Sequence, residues 1–329
     1  MVNRLHFGPD DLLRCRFALS PLWETQEAVR TLKRPDRHGY HPQWLRRIRE
    51  AGHGLERELA ALWLLMPQRG YTPDFLGPPP IGPAATFGQE IAAVRAADPG
   101  AARDDLARAL ACTPGAADSP QGRALLADPA RSVRELSDAL EAVWHALIEP
   151  DWPRLRTFLE ADVTYHSRRL AEVGLGALLG ELDSRLSWDS GTLTVARSAD
   201  HVRDLAGQGL VLMPSVFGWP DVVGGHDPPW QPTLVYPARG IGGLWTEPTE
   251  HTSEALVRLL GRGRATVLAA LAEPATTSAL AHRLGLAPSS VSAHLGTLRD
   301  AGLLVSRRYG HQVLYERTPL GIALASGGI

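Results

Sequence analysis

The sequence predicts an α+β chain: a mostly helical N-terminal domain carrying a small β-sheet, then a C-terminal domain of short helices closed by a β-hairpin. Three observations predict it. Apolar residues recur at helical spacing through most of residues 1–190. Between 191 and 250, short runs rich in Val, Leu and Thr alternate with Gly, Pro and Asp turns. Near residue 250, charge and aromatic content change together. Residues 1–250 hold 26 Lys+Arg against 32 Asp+Glu, a balance of −6, and all nine Trp; residues 251–329 hold eight Arg against four Asp+Glu, a balance of +4, and no Trp. The overall charge of −2 hides this asymmetry. Domains of 1–250 (helical 1–190, strand-rich 191–250) and 251–329, with separate jobs, are expected.

A chain of 329 residues that is 44% hydrophobic and 21% charged can bury at least one sizeable core. Its longest apolar run, Ala60 to Met66, is far shorter than a membrane span, and Met1-Val2-Asn3-Arg4 leads into no secretory apolar stretch. A cytoplasmic protein without a membrane partner is expected. The two cysteines, Cys15 and Cys112, form no Cys-x-x-Cys or Cys/His ladder. No disulfide, metal or cofactor is therefore expected.

In chain order, Asp10–Leu19 reads as a helix stopped by Ser20-Pro21, and Leu22–Leu32 as the next. The proline-rich run from Gly70 to Pro83 cannot be helical and reads as an extended surface loop. Leu136, Leu140, Val143 and Leu147 mark one helix face, and Leu155, Phe158, Leu159 and Val163 another. The polar run Tyr165-His166-Ser167-Arg168-Arg169 reads as the solvated side of that second helix, and Gly174-x-Gly176-x-x-x-Gly180 as a packing feature within it. Thr192–Ala196, Leu210–Phe217 and Thr233–Tyr236 read as three strands of one sheet. Trp219 and Trp230 fall in loops; with Trp188 and Tyr165 they form the candidate effector pocket, although indoles serve equally as core anchors, and the core reading is preferred.

After residue 250 the order is Ser253–Leu260, Arg262–Leu271, Thr276–Leu284, Pro288–Ala301 and a hairpin from Leu303 to Arg317. That order is a winged helix-turn-helix. Thr276 suits an N-cap, Gly285 a left-handed helix end, and Pro288 the first helical turn, whereas Ala287 is a poor cap. On the recognition helix, 288–301, Val291, Leu295 and Leu298 form the buried stripe. Ser289, Ala293, Gly296, Thr297 and Asp300 point away from it, with Ser290 and Ser292 on its flanks. Such a small polar face can enter the major groove. His294 stands at the buried boundary, as a phosphate donor or as a ring satisfied within the domain. The wing, 303–317, carries Arg307, Arg308 and His311 near its tip as phosphate contacts. Double-stranded DNA is the expected partner.

These residues resemble a known family. Ser290-Val291-Ser292-Ala293-His294-Leu295, Leu298-Arg299-Asp300-Ala301-Gly302-Leu303 and Arg307 to Gly310 are similar to the ArsR/SmtB-type repressors. The resemblance implies a bacterial regulator, usually a homodimer that binds an inverted repeat and is released by an effector. The family's metal sensors carry a Cys-x-Cys type site before the recognition helix or paired His/Asp on a long final helix. Here Thr277-Ser278-Ala279-Leu280-Ala281-His282-Arg283-Leu284 has no Cys, and His282 alone lacks the three or four donors that zinc needs. Phe17 to Glu24 and Gly70 to Leu76 also resemble a subgroup of such regulators with a long N-terminal domain of no known function.

No His-Glu-x-x-His, Gly-x-Ser-x-Gly or phosphate-loop pattern occurs, so no catalytic residues and no enzyme activity are expected. The leading expectation is a homodimeric repressor, with a small-molecule effector bound by the N-terminal domain. The alternatives are an enzyme or small-molecule carrier domain fused to a DNA-binding module, and an N-terminal domain that only dimerises.

Overall fold

The structure is a computed structural model that describes residues 2–52, 54–67, 70–196, 201–225, 227–245, 254–309 and 312–325. The chain forms two compact units: Met1–Arg34 with Arg47–Ala238, and Pro35–Arg46 with Arg239–Ile329. The second unit thus takes in a short stretch from early in the sequence as well as the C-terminal helices.

In the first unit, strand β1 (Val2–His6), helix α1 (Pro9–Arg14), strand β2 (Arg16–Phe17) and helix α2 (Pro21–Lys33) come first. Helix α3 (Pro42–Ala51) begins in the second unit and ends in the first. A helical layer follows: α4 (Glu56–Leu65), α5 (Phe87–Arg95), α6 (Pro99–Ala111), α7 (Pro120–Ala127), α8 (Pro129–Val143) and α9 (Trp152–Leu182). Strands β3 (Leu186–Asp189), β4 (Thr192–Ala196), β5 (His201–Asp204), β6 (Val211–Ser215), β7 (Val223–Gly225) and β8 (Thr233–Pro237) complete it. Proline opens α2, α6, α7 and α8, each behind a Ser or Asp whose side chain accepts from the third helical N–H. Leu136, Leu140, Val143 and Leu147 are buried together, as their spacing requires.

The expected single sheet is two. One has the order β3-β4-β1-β5 and the other β2-β6-β8-β7. Thr192–Ala196 pairs with β1, a strand not expected from the sequence. The expected helix 10–19 ends at Arg14, because Arg16–Phe17 pairs in parallel with Val211 and Leu212. The reason is burial: all five residues of β6 and of β8 are buried, and β6 needs a backbone partner on its outer edge. Neither strand pattern of two residues nor a parallel pairing across the chain has a local signature.

The run 70–83 is extended apart from one turn at Asp74–Leu76, but it does not lie on the surface as expected: Phe75, Leu76 and Pro78 are buried. Its prolines bring no N–H to satisfy, and its carbonyls find donors in side chains. Gln26 Nε2 donates to Leu76 O at 2.9 Å, and Arg16 Nη2 to Pro80 O at 2.6 Å. Helix α9 breaks at Gly174 (φ +77°), so the glycine series marks a kink rather than a continuous packing face. Just beyond it, Gly176 lets the Trp188 indole approach: a Cβ there would lie 2.4 Å from Nε1.

The second unit comprises α10 (Ile241–Leu244), α11 (Glu254–Leu260), α12 (Arg262–Ala270), β9 (Ala275–Thr276), α13 (Thr277–Leu284), α14 (Pro288–Asp300), β10 (Leu304–Tyr309), β11 (Gln312–Arg317) and α15 (Pro319–Ala325). Its core joins Leu256, Val267, Leu268, Leu280, Val291, Leu295, Leu298 and Leu304. Residues 35–46 pack within this unit. Gly39 lies against Pro319, where a Cβ would come within 2.2 Å, and Tyr40 OH donates to Arg317 O at 3.3 Å. The Trp245 Nε1–H donates to buried His41 Nδ1 at 3.0 Å.

Candidate nucleic-acid interface

The turn between α13 and α14 is built as its residues dictate. Thr276 Oγ1 accepts from Ala279 N at 3.1 Å. Gly285 takes the left-handed conformation (φ +63°), and Leu286 N reaches back to Ala281 O at 3.0 Å. Ala287 makes no side-chain cap, so α14 is held by Pro288 and by the buried Val291, Leu295 and Leu298. That burial fixes the opposite face. Ser289, Ser290, Ser292, Ala293 and Thr297 are exposed and contiguous on α14. The Thr297 hydroxyl donates to Ala293 O at 3.1 Å, which leaves its oxygen to accept.

His294 is half-buried against the start of α12: a Cβ on Gly263 would meet its Nε2 at 2.6 Å. The ring thus acts as packing between α12 and α14. The same contact sets Arg262 and Arg264, both exposed, beside the recognition helix. Sequence reasoning counted these arginines but did not place them; a glycine between two arginines at a helix start was the available signal.

Strands β10 and β11 pair from Leu304↔Arg317 to Tyr309↔Gln312, and β9 joins at Leu314. Adjacent strand residues face opposite sides, so Arg307 and Arg308 do not form one forked tip. Arg308 is exposed, whereas Arg307 is half-buried with Nε 3.0 Å from Glu316 Oε1. Through that pair Arg307 braces the hairpin. His311 lies outside the described residues. Arg317 is buried and donates from Nε to Leu268 O at 2.9 Å and from Nη2 to Ala269 O at 2.6 Å, closing the C-terminus of α12. Burial lowers its pKa to about 10.

The candidate effector residues line neither of two cavities of the first unit. Trp188, on β3, packs edge-on against Phe7 at 4.9 Å and lies partly buried against a core cluster. Trp230 is half-buried and its carbonyl accepts from Arg203 Nη2 at 2.7 Å. Trp219 is half-buried in the loop after β6. Tyr165 is half-buried on α9, edge-on to His166 at 5.1 Å. His166 itself is buried, correcting the reading of this run as a solvated face: its Nε2 is 3.6 Å from Asp162 Oδ1, and Tyr236 OH donates to Asp162 Oδ2 at 3.0 Å. Ser167 and Arg168 do face solvent. Two cavities of the first unit, of about 720 and 390 Å³, are lined by other residues.

Residues 263–307 match a family model described as a helix-turn-helix domain. The C-terminal module is a helix-turn-helix domain. Its matched stretch runs from Gly263, against which His294 packs, to Arg307 in the first strand of the wing, and contains Ser290 to Leu303 of the residues that resemble ArsR/SmtB-type repressors. Residues 83–242 match a family of unknown function, DUF5937. The helix-turn-helix domain makes the chain a DNA-binding regulator with an N-terminal domain of unknown function. No curated protein and no solved structure matches the chain. Among the described residues, no group of three or more His, Cys, Asp or Glu could hold a metal ion. Among them, too, no helix is long and apolar enough to cross a membrane.

Proposed function

We propose that the protein is a homodimeric repressor of the ArsR type that binds an inverted-repeat operator and is released by a small molecule held in the N-terminal domain. The observation that carries the DNA reading is the face of α14: small, polar and left open, while its other side is fixed in the core. Ser289, Ser290, Ser292 and Thr297 supply hydroxyls to base edges, and Ala293 lets the helix approach closely. Arg308 holds a phosphate from the wing, joined by Arg262 and Arg264 from the start of α12. Two subunits would reach half-sites about one helical turn, roughly 34–36 Å, apart.

The test is selection of genomic DNA fragments by the full-length protein at two salt concentrations. Enrichment of a short palindrome whose affinity falls as salt rises supports a site-specific dimer. Salt-sensitive binding with no enriched sequence would reduce the module to an electrostatic anchor.

A further inference from the structure

We propose that the first unit binds a small organic cation, of the quaternary-ammonium class, in the aromatic corner formed by Trp144 and Trp152. The corner arises from an interruption in the helical layer. After α8 the chain makes one π turn, Trp144–Ile148, in which Glu149 N–H bonds to Trp144 O five residues back; a single 3₁₀ turn follows before α9 starts at Trp152. Such an insertion rotates the following residues relative to the preceding helix and is frequent at binding sites. Here it sets two indoles at 66°, with ring centres 5.5 Å apart. Phe87, at the start of α5, stacks on Trp144 at 4.6 Å with the planes only 6° apart, and so fixes one wall.

These rings line the cavity of about 390 Å³, within the range of roughly 300–1,000 Å³ usual for small-ligand sites. Trp144 is 5% exposed, and half-buried Trp152 is the more accessible of the two indoles. The charges around the corner choose the ligand. Glu141 is held by Arg95 at 2.7 Å, and Arg156 by Glu160 at 2.8 Å. Glu149, in the same lining, pairs with exposed His145 at 2.7 Å. Phe87 covers one face of Trp144, so the electron-rich face offered to a ligand is chiefly that of Trp152, and among the described residues no arginine pairs with the Glu149 carboxylate of the same lining. A cation gains from both, and an anion from neither. The larger cavity, between α4, α7 and α8, mixes Arg57 and Arg131 with carboxylates, has no ring in its lining, and selects no such class.

This site would supply the chemistry of the effector in the regulatory reading, but its test reads binding without DNA, so the two can fail separately. The full-length protein is titrated calorimetrically with benzyltrimethylammonium, with benzyl alcohol as the neutral probe and phenylacetate as the anion. Saturable binding of the cation, about ten-fold or more tighter than either control, is expected. Trp152→Leu should weaken it about ten-fold and Glu149→Gln about three-fold. Glu149 is exposed, so its variant reads the site even if Trp152→Leu misfolds. No saturable heat up to about 10 mM, equal affinity for benzyl alcohol, or cation binding unmoved by Glu149→Gln and by any folded Trp152→Leu would overturn the proposal.

Discussion

Each unit places a buried charged side chain on backbone that needs it, carboxylates on N–H groups in the first and an arginine on carbonyls in the second. In the first unit, buried Glu24 accepts from Val216 N at 3.1 Å and Phe217 N at 3.3 Å, where β6 ends, and burial pushes its pKa up to about 8. Glu90 accepts from Leu22 N at 2.9 Å at the start of α2, and burial raises it to about 7. In the second unit the buried groups are basic: His41, kept neutral with burial lowering its pKa to about 3, and Arg317 on the last carbonyls of α12. Carboxylates sit on orphan N–H groups, and the cation sits on orphan C=O groups. The backbone polarity at each element's end selects the residue. Acid should therefore act on the two units in opposite directions.

The largest expected effect is on this contrast. Glu24 and Glu90 hold protons in the folded state between their unfolded value of 4.5 and about 8 and 7, so the first unit gains stability as pH falls across that window. His41 is protonated in the unfolded state below 6.5 but not in the folded state until about 3, so the second unit loses stability as pH falls below 6.5. Between pH 8 and 5, calorimetric scans should show the first unit gaining on the order of 6 kcal/mol and the second losing on the order of 2 kcal/mol. Two transitions that move together would break the comparison.

Leu295→Ala identifies the second transition. It opens a cavity beneath the recognition helix and should lower that transition alone by about 3 kcal/mol, with loss of DNA binding. Next, Arg308→Ala should weaken binding to every DNA sequence alike and flatten the salt slope by about one, whereas paired Arg307→Ala should change that slope by much less. Equal slopes for the two variants would return Arg307 to the DNA surface. The smallest effect is for Ser292→Ala: about 1 kcal/mol less discrimination at one position per half-site, read by competition between operator variants. Unchanged discrimination would remove Ser292 from the reading face.

The second unit was legible where its signals are local. Thr276, Gly285 and the Val291–Leu295–Leu298 stripe each act within a few residues, and each does in the structure what its chemistry implies. What the sequence concealed depends on partners far along the chain. The two residues of β2 have no period to read, and burial of the proline run at 70–83 depends on Gln26 and Arg16. Among the aromatics, Trp219 and Trp230 stand out in the sequence because they lie in loops. Trp144 does not, because it continues a helix pattern until the π turn redirects the chain. The separation of Arg307 from Arg308 was readable from strand alternation alone, but the Glu316 partner that holds Arg307 was not.

The stretch 35–46 gives the helix-turn-helix unit a history during synthesis. It leaves the ribosome about 270 residues ahead of Pro319, against which Gly39 rests. At roughly 5–20 residues per second, that is about 15–55 s in which Tyr40, His41 and Trp44 await the segments they pack with. A nascent chain stalled before Pro319 would expose those rings to chaperones, and a gene fragment that starts at residue 251 would make a DNA module without them. The second unit is therefore complete only when both stretches of the chain have been made.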